Sequence, residues 1–305
     1  MSEMASGLLF CNQGGDMFDP LFQEIEQHLK DMIIPYLMSV LQTMFDCVND
    51  QVGTIASDVG TTPSAFNPTI FGMIRNISET VIMPIAGIIL TFVACYELIQ
   101  LIISYNNLAN FETWFIFKWV FKTFIAVEII THTFDFTMAV FDVAQHVILN
   151  AGGVIVSSTA VDASALASMQ STIEAMDIWS IFALFFQVSI IMIVTQILSK
   201  LIFVIIYVRM IEIYMYVSLA PIPLATFANK EQSSVCINYG KSLFALGLQG
   251  FLIMICVGIY AALIQSLAFS SDIVGSLWGV VGYTILLAFS LFKTNTVAKA
   301  ILQCT

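Results

Sequence analysis

The longest unbroken stretch of hydrophobic positions lies between residues 177 and 229. Its apolar run of about 45 residues exceeds the roughly 20 that one membrane-spanning helix needs. Two prolines near its end remove backbone hydrogen-bond donors, so the helix is predicted to kink or unwind there. Charged side chains at that depth are costly unless they are paired or face protein or water. The run therefore predicts a membrane helix with functional groups embedded in it, at Lys200, Arg209, Glu212, Pro221 and Pro223.

Four further apolar segments predict helices of the same kind, at 80–104, 112–150, 243–269 and a last one that ends near Phe292. The second of them has about 39 residues, which is nearly 60 Å of helix and more than a bilayer needs. Three glycines in the last one form a small-residue face that lets helices approach closely, at Gly275, Gly279 and Gly282.

The N-terminal part of the chain has a different pattern. Apolar residues recur every three or four positions from Leu21 to Val52, after a cap and first-turn proline at Asp19-Pro20. This predicts an amphipathic helix, too polar to span a membrane, that lies on the bilayer or on its own protein, or packs against copies of itself. Residues 53–76 are rich in Gly, Pro, Ser and Thr and predict a loop.

The composition places the whole chain in a bilayer. Hydrophobic residues make up 59% and charged residues 10%, whereas about a quarter of an average soluble domain is charged. The predicted fold is therefore an all-α polytopic membrane protein with about five transmembrane helices preceded by the amphipathic helix. We expect residues 1–76 to form an external helix and linker, and 77–305 a transmembrane domain with an external loop at 151–176.

The distribution of cations predicts the orientation. The first 80 residues hold far more carboxylates than cations, and 151–176 holds no cation, so both are predicted outside. Cations that indicate the cytoplasmic side follow later, at Lys118, Lys122, Lys230, Lys241, Lys293 and Lys299. Five spans, with the N-terminus outside and the C-terminus cytoplasmic, fit this pattern. Six spans, with a tight turn near Lys200, remain the alternative.

One predicted helix carries a stripe of ionisable residues. Their spacing of four, three, seven and four puts them on one helical face, at Glu128, His132, Asp135, Asp142 and His146. Lys118 and Lys122 lie on the adjacent side. Such groups could bind a metal or relay protons, but a metal site normally needs ligands from a second element and none is apparent. The favoured interpretation is a wetted face, beyond the bilayer or lining a water-filled lumen.

Two other sequence features contain residue types that occur in functional sites. Arg209 and Glu212 are three residues apart and are predicted to form a local ion pair. Gly240-Lys241-Ser242 lacks the first glycine of a phosphate-binding loop, because position 235 is Val235. No catalytic, cofactor or metal site is expected, and the net charge of −11 argues against a broad nucleic-acid-binding surface.

The centre of the chain resembles a known family. Glu212-Ile-Tyr214 is followed at 219–225 by Leu-Ala-Pro-Ile-Pro-Leu-Ala, which, with the layout of spans over about 75–300, resembles the TrbL family of conjugative type IV secretion proteins. The resemblance implies a homo-oligomeric component of the bacterial inner membrane. It would form part of the conduit for single-stranded DNA and its attached relaxase, together with other secretion subunits that include cytoplasmic ATPases. Lys118 and Lys122 would then form a cytoplasmic entrance ring.

Two alternatives remain open. A secondary transporter would use the helix break at Pro221 and Pro223 as a midplane site, but such folds usually show two similar halves, and no second broken helix is apparent from the sequence. A scaffold without a pore would tolerate apolar replacement of Glu128, His132 and Asp135.

Overall fold

The computed structural model describes residues 4–104, 113–156, 163–267 and 272–304, and within these ranges it contains helices and no strand. The all-α fold class is confirmed. The helices are α1 (Met4–Val59), α2 (Pro63–Phe66), α3 (Pro68–Ile77), α4 (Met83–Ser104), α5 (Thr113–Thr131), α6 (Thr133–Val156), α7 (Ala163–Glu174), α8 (Ile178–Leu219), α9 (Pro221–Ala225), α10 (Ser233–Gln265) and α11 (Ile273–Ile301). A π-helical turn, Ser78–Ile82, joins α3 to α4, and a 3-10 turn, Thr226–Ala228, follows α9.

The amphipathic helix is present but longer than predicted. The predicted start at Asp19-Pro20 is wrong, because α1 begins at Met4 and continues through Pro20 and Pro35. A proline removes one hydrogen bond and kinks a helix without necessarily ending it. Among the predicted apolar positions whose burial the structure describes, the buried ones lie in the C-terminal half of α1: Leu37, Leu41, Met44, Val48 and Val52. Three further apolar residues of α1 are buried with them: Phe45, Ile55 and Val59.

The predicted loop at 53–76 is also wrong, since most of it is helical. The Thr62 hydroxyl accepts a hydrogen bond from the Ala65 amide at 3.3 Å, and Asn67 Oδ1 accepts one from the Ile70 amide at 3.1 Å. A proline follows each of these capping residues, which is a helix-start signal. The same residue types are common in loops, which explains the wrong prediction.

The predicted single helix over 112–150 is two helices. The axes of α5 and α6 differ in direction by 68° at a break at His132. Threonines flank this break, and their hydroxyls bond back to carbonyls of the preceding turn, as in Thr131 to Val127 at 2.8 Å and Thr133 to Ile130 at 2.8 Å. Such bonds compete with the helical ladder and favour bending.

The described residues contain four helices, or up to five if the α5–α6 pair counts as one span, that are long and apolar enough to cross a membrane. This agrees with the predicted number. The alternative of six spans is wrong, because α8 runs for 42 residues through Lys200 without a turn. The predicted loop at 151–176 contains the end of α6 and all of α7 in its described part.

The chain divides into two compact units. The first comprises Met1–Gln51, Thr159–Ser199 and Ala261–Ile285. In it the rings of Tyr36 on α1 and Phe185 on α8 lie with centroids 5.6 Å apart. Asp177 caps α8, and the hydroxyl of Ser180 donates to its carboxylate at 2.6 Å, which holds the pKa of Asp177 below its usual value.

The second unit comprises Val52–Ser158, Lys200–Tyr260 and Leu286–Thr305. One apolar cluster joins α6, α8 and α10 through Phe134, Phe141, Met210, Ile213, Tyr214, Val217, Leu243 and Leu246. The Tyr214 hydroxyl donates a 2.7 Å hydrogen bond to the carbonyl of Pro63, which ties α8 to the start of α2. All of the candidate site described next lies in this unit.

Candidate functional site

The predicted helix break forms a packed junction. α8 ends at Leu219, Ala220 keeps helical backbone angles (φ −51°, ψ −38°), and α9 begins at Pro221 with Pro223 inside it. α9 packs against both α4 and α5. The contact is made largely by small or branched side chains, which let the helices approach closely: Ala86, Leu90, Val93, Ala126, Ile130, Ala225 and Ala228. The proline motif therefore supplies a short helix that holds α4 and α5 together.

Arg209 lies inside the second unit with only 4% of its surface exposed. Its Nη2 donates to the carbonyl of Leu246 on α10 at 3.4 Å, while Nε and Nη1 have no hydrogen-bond partner among the described residues. A cavity of about 10 Å³ adjoins the guanidinium and is lined also by Thr61 and Gln145. That volume is enough for about one water molecule.

Glu212 was predicted to pair with Arg209, but its carboxylate is hydrogen-bonded by side chains of α11. Its carboxylate accepts hydrogen bonds from Asn295 Nδ2 at 3.1 and 3.0 Å and from Lys299 Nζ at 3.3 Å. It acts on Arg209 through its charge. Asn295 and Lys299 are four residues apart on α11, so one helical face presents both donors. This spacing is a sequence signal for the network, although nothing in it points to Glu212.

Lys122 is paired within the fold. Its Nζ lies 3.0 Å from Glu97 Oε1 on α4, and the other oxygen of Glu97 accepts from the Lys230 amide at 3.3 Å. The Trp119 indole donates to the carbonyl of Ala94 at 3.0 Å, a second link between α5 and α4. Lys118 is exposed one turn away. The two lysines, predicted as one ring, thus have different surroundings.

The ionisable stripe is divided by the bend. His132 lies at the break, with Nε2 3.3 Å from Glu128 and Nδ1 3.6 Å from Asp135. The side chains of these three residues are 58%, 52% and 67% exposed in the order Glu128, His132, Asp135. Asp142 and His146 are exposed one turn apart on α6. Because α6 leaves α5 at 68°, the five residues do not form one straight face.

The cluster at the bend also receives a cation from α3. The guanidinium of Arg75 lies 5.5 Å from the ring centre of Phe134 and pairs with Glu79 at 2.7 Å. Within the described parts of the chain, no three His, Cys, Asp or Glu side chains are arranged to hold a metal ion. The arrangement is a polar, exposed surface beside a broken helix.

These features define a multi-pass helical membrane protein with charged groups at its helix breaks and helix ends. A sequence model described as TrbL/VirB6 plasmid conjugal transfer-like protein matches residues 48–221, which are 174 of the 305 residues. The chain therefore belongs to this family, and the resemblance seen in the sequence is confirmed. The match includes the end of α1, the bend and all of α8. No curated protein and no solved structure matches the chain.

Family membership makes the chain a multi-pass component of a conjugal transfer system that works with other subunits of that system. The family is one of structural transfer components, and no positive evidence for catalysis accompanies it.

Proposed function

We propose that copies of this protein assemble in the bacterial inner membrane and form part of the conduit for single-stranded DNA and its attached protein. The N-terminus would lie outside and the C-terminus in the cytoplasm, as the distribution of cations predicts. Cytoplasmic ATPases and other secretion subunits would be its partners. The bilayer surrounds the assembly, and the DNA with its relaxase passes through transiently.

One observation carries the proposal: Glu128, His132 and Asp135 are more than half exposed on a helix pair apolar enough to span. An ionised carboxylate that faces lipid at the centre of a span costs about 2.5–3.5 kcal/mol, even on the lowest scale. A lumen shared by several copies would give these groups water and remove that cost. Charged groups inside membrane segments commonly mark such pathways.

The test is a DNA-transfer assay with donor cells that carry a triple variant, Glu128→Leu, His132→Leu and Asp135→Leu. We expect transfer to fall at least tenfold while the protein remains inserted at wild-type level, because apolar side chains would dehydrate the pathway. The control combines Glu128→Gln, His132→Asn and Asp135→Asn, which keeps the polarity and should retain most transfer. Normal transfer by the leucine variant would reject the lumen and favour a scaffold without a pore.

The entrance ring is tested separately through Lys118, because the charge of Lys122 is already neutralised by Glu97. If Lys118 lies at the entrance, Lys118→Glu lowers transfer and Lys118→Arg does not. Equal transfer by both variants would remove Lys118 from the pathway. Lys122→Glu is a poorer probe, since it would also repel Glu97 and loosen α5 from α4.

A secondary transporter remains a second candidate because the structure contains a second interrupted helix, at His132, which was not apparent from the sequence. The break at Pro221 is filled by packed apolar side chains, which argues against a substrate site there. The native mass of the extracted protein, corrected for bound detergent, separates the two functions. A ring of identical chains supports the conduit, whereas a strict monomer in several mild detergents supports the transporter.

A further inference from the structure

An open cleft of about 930 Å³ lies where three membrane helices begin or end. The end of α4, the start of α5 and the segment from the 3-10 turn to the start of α10 form its walls. Two of the candidate spans end or begin at Ser104 and Ser233, and a third ends at Ala228. In the proposed orientation these helix ends and the lysines beside them lie on the cytoplasmic side, where the lipid headgroups are.

The charges in the cleft are unevenly matched. Lys118, Lys122 and Lys230 line it together with Glu97 and Glu231. Lys122 pairs with Glu97, whose second oxygen accepts from the Lys230 amide, and Glu231 accepts from the Tyr96 hydroxyl at 3.4 Å. Within the described residues, the ammonium groups of Lys118 and Lys230 have no carboxylate partner. Among the described lining residues, three cations stand against two carboxylates, a net charge of one positive unit.

The remaining lining is apolar and aromatic, with Phe115, Trp119, Phe227 and Ile237 among its members. Beside the cleft, an exposed aromatic row runs along α5: Trp114 stacks on Phe117 at 5.8 Å between ring centres, and Phe117 on Phe121 at 6.5 Å. Of these, tryptophan is a side chain enriched at the membrane–water boundary. The cleft thus combines lysine side chains, which attract an anion, with apolar walls that can contact an acyl chain.

From this combination we infer that the cleft binds one anionic phospholipid, with its phosphodiester between Lys118 and Lys230 and an acyl chain along the aromatic wall. One net positive charge matches the single negative charge of a phosphatidylglycerol-type headgroup. Basic pockets between membrane helices on the cytoplasmic side recognise anionic lipids in this way. A DNA strand fits less well, because it offers several phosphates and no hydrocarbon for the apolar walls. The inference rests on the proposed cytoplasmic orientation, and it places Lys118 at a lipid headgroup instead of in the entrance ring. Lipid binding is measured without DNA transfer, so failure of the lipid site and failure of the conduit are distinguishable.

Lipid binding can be measured by native mass spectrometry of the full-length protein, extracted and delipidated in a neutral detergent. Short-chain phosphatidylglycerol is titrated against phosphatidylcholine of the same chain length, glycerol 3-phosphate and a single-stranded oligonucleotide. We expect one tight phosphatidylglycerol adduct that phosphatidylcholine does not replace. Lys118→Gln and Lys230→Gln should each raise its dissociation constant about fivefold, the equivalent of roughly 1 kcal/mol for each lysine at a membrane surface.

The control is Lys200→Gln, an exposed lysine on α8 outside the cleft, which should leave binding unchanged. Equal affinity for the two lipids, or equal effects of all three substitutions, would overturn the proposal. So would equally tight binding of glycerol 3-phosphate, since the acyl chain would then contribute nothing. If the oligonucleotide displaced the lipid, the cleft would be a nucleic-acid site and the lipid proposal would be rejected. Because both cleft lysines are exposed, their variants should fold, which unchanged thermal unfolding would verify.

Discussion

Gly250 on α10 faces the guanidinium of Arg209 on α8 so closely that a Cβ at position 250 would lie 2.6 Å from Nη2. The same Cβ would lie 2.5 Å from Cδ1 of Ile148, which is itself buried. The absence of a side chain at 250 is therefore what admits Arg209 to the interior. The two residues are 41 positions apart, and neither suggests the other in the sequence.

Gly250→Ala should lower stability by about 1–3 kcal/mol, because buried side chains around it must shift to accept the methyl group. Thermal unfolding of the detergent-extracted protein measures the change. Gly240→Ala in the same helix is the control, since nothing lies within 4 Å of its Cβ position. That control should be neutral or slightly stabilising, because alanine favours helix. An equal loss in both variants would contradict the close approach.

Arg209→Met should leave stability unchanged or raise it by about 1–4 kcal/mol, because it removes a buried charge that no carboxylate contacts. DNA transfer should fall in the same variant if the charge serves function. The comparison is Arg209→Lys, which keeps a charge but lacks the fork that reaches the Leu246 carbonyl. Marked destabilisation by methionine would mean that Arg209 has a structural partner, such as the water for which the adjoining cavity has room.

Glu212 and Lys299 should show an interaction free energy in a double-mutant cycle. Both side chains are less than a third exposed and lie 3.3 Å apart, so we expect a coupling of about 0.5–3 kcal/mol from Glu212→Gln, Lys299→Met and the double variant. The exposed pair Arg75–Glu79 provides the comparison and should couple by less than about 1 kcal/mol. Additive effects at Glu212 and Lys299 would show that the contact contributes nothing.

Ala225→Leu should destabilise the protein by about 1–3 kcal/mol, because α9 has no room for a larger side chain between α4 and α5. The residue is completely buried in the junction that the proline motif forms. Ala300→Leu is the matched enlargement at an exposed position of α11 and should have little effect. If Ala225→Leu unfolds at the wild-type temperature, the packing of α9 is looser than the structure indicates.

The proposed orientation predicts opposite accessibility at two exposed positions. In a variant whose native cysteines are replaced by alanine, Gln23→Cys should react with an impermeant thiol reagent added outside cells. Lys230→Cys should react only after lysis. The reagent must reach the periplasm in hosts with an outer membrane. Labelling of both sites, or of neither, in intact cells would contradict the orientation.

Much of the fold is predictable from the sequence. Local sequence is enough to predict the membrane helices, the polar face of α1 and the proline motif, because each depends on residues that are close together in the chain. Hydrophobicity and helical periodicity are such properties, and they identify spans without knowledge of which helices meet. The wrong prediction of a loop at 53–76 arose because the same residue types occur both at helix starts and in loops. Thr62 and Asn67 with their prolines start helices, although the same residues also form loops.

The candidate site is predictable only in part. The sequence singled out Arg209, Glu212, Lys122 and His132 as charges in an apolar setting, because each stands out from its neighbours. Their partners were not predictable, since they come from other helices: Lys299 is 87 residues from Glu212, and Glu97 is 25 residues from Lys122. A bend such as that at His132 also depends on side-chain bonds that propensity does not specify.

The sequence by itself determined that this is a helical membrane protein of the conjugal transfer family, because burial in lipid demands long apolar helices. Tertiary structure alone decided which charge is neutralised and which is left free. Glu97 forms an ion pair with Lys122, and Lys118 is left exposed. Glu212 forms an ion pair with Lys299, and Arg209 is left without a carboxylate contact. The physical reason is that charges inside a membrane protein pair with whichever group the packed helices bring within hydrogen-bond distance, however remote it is in the chain.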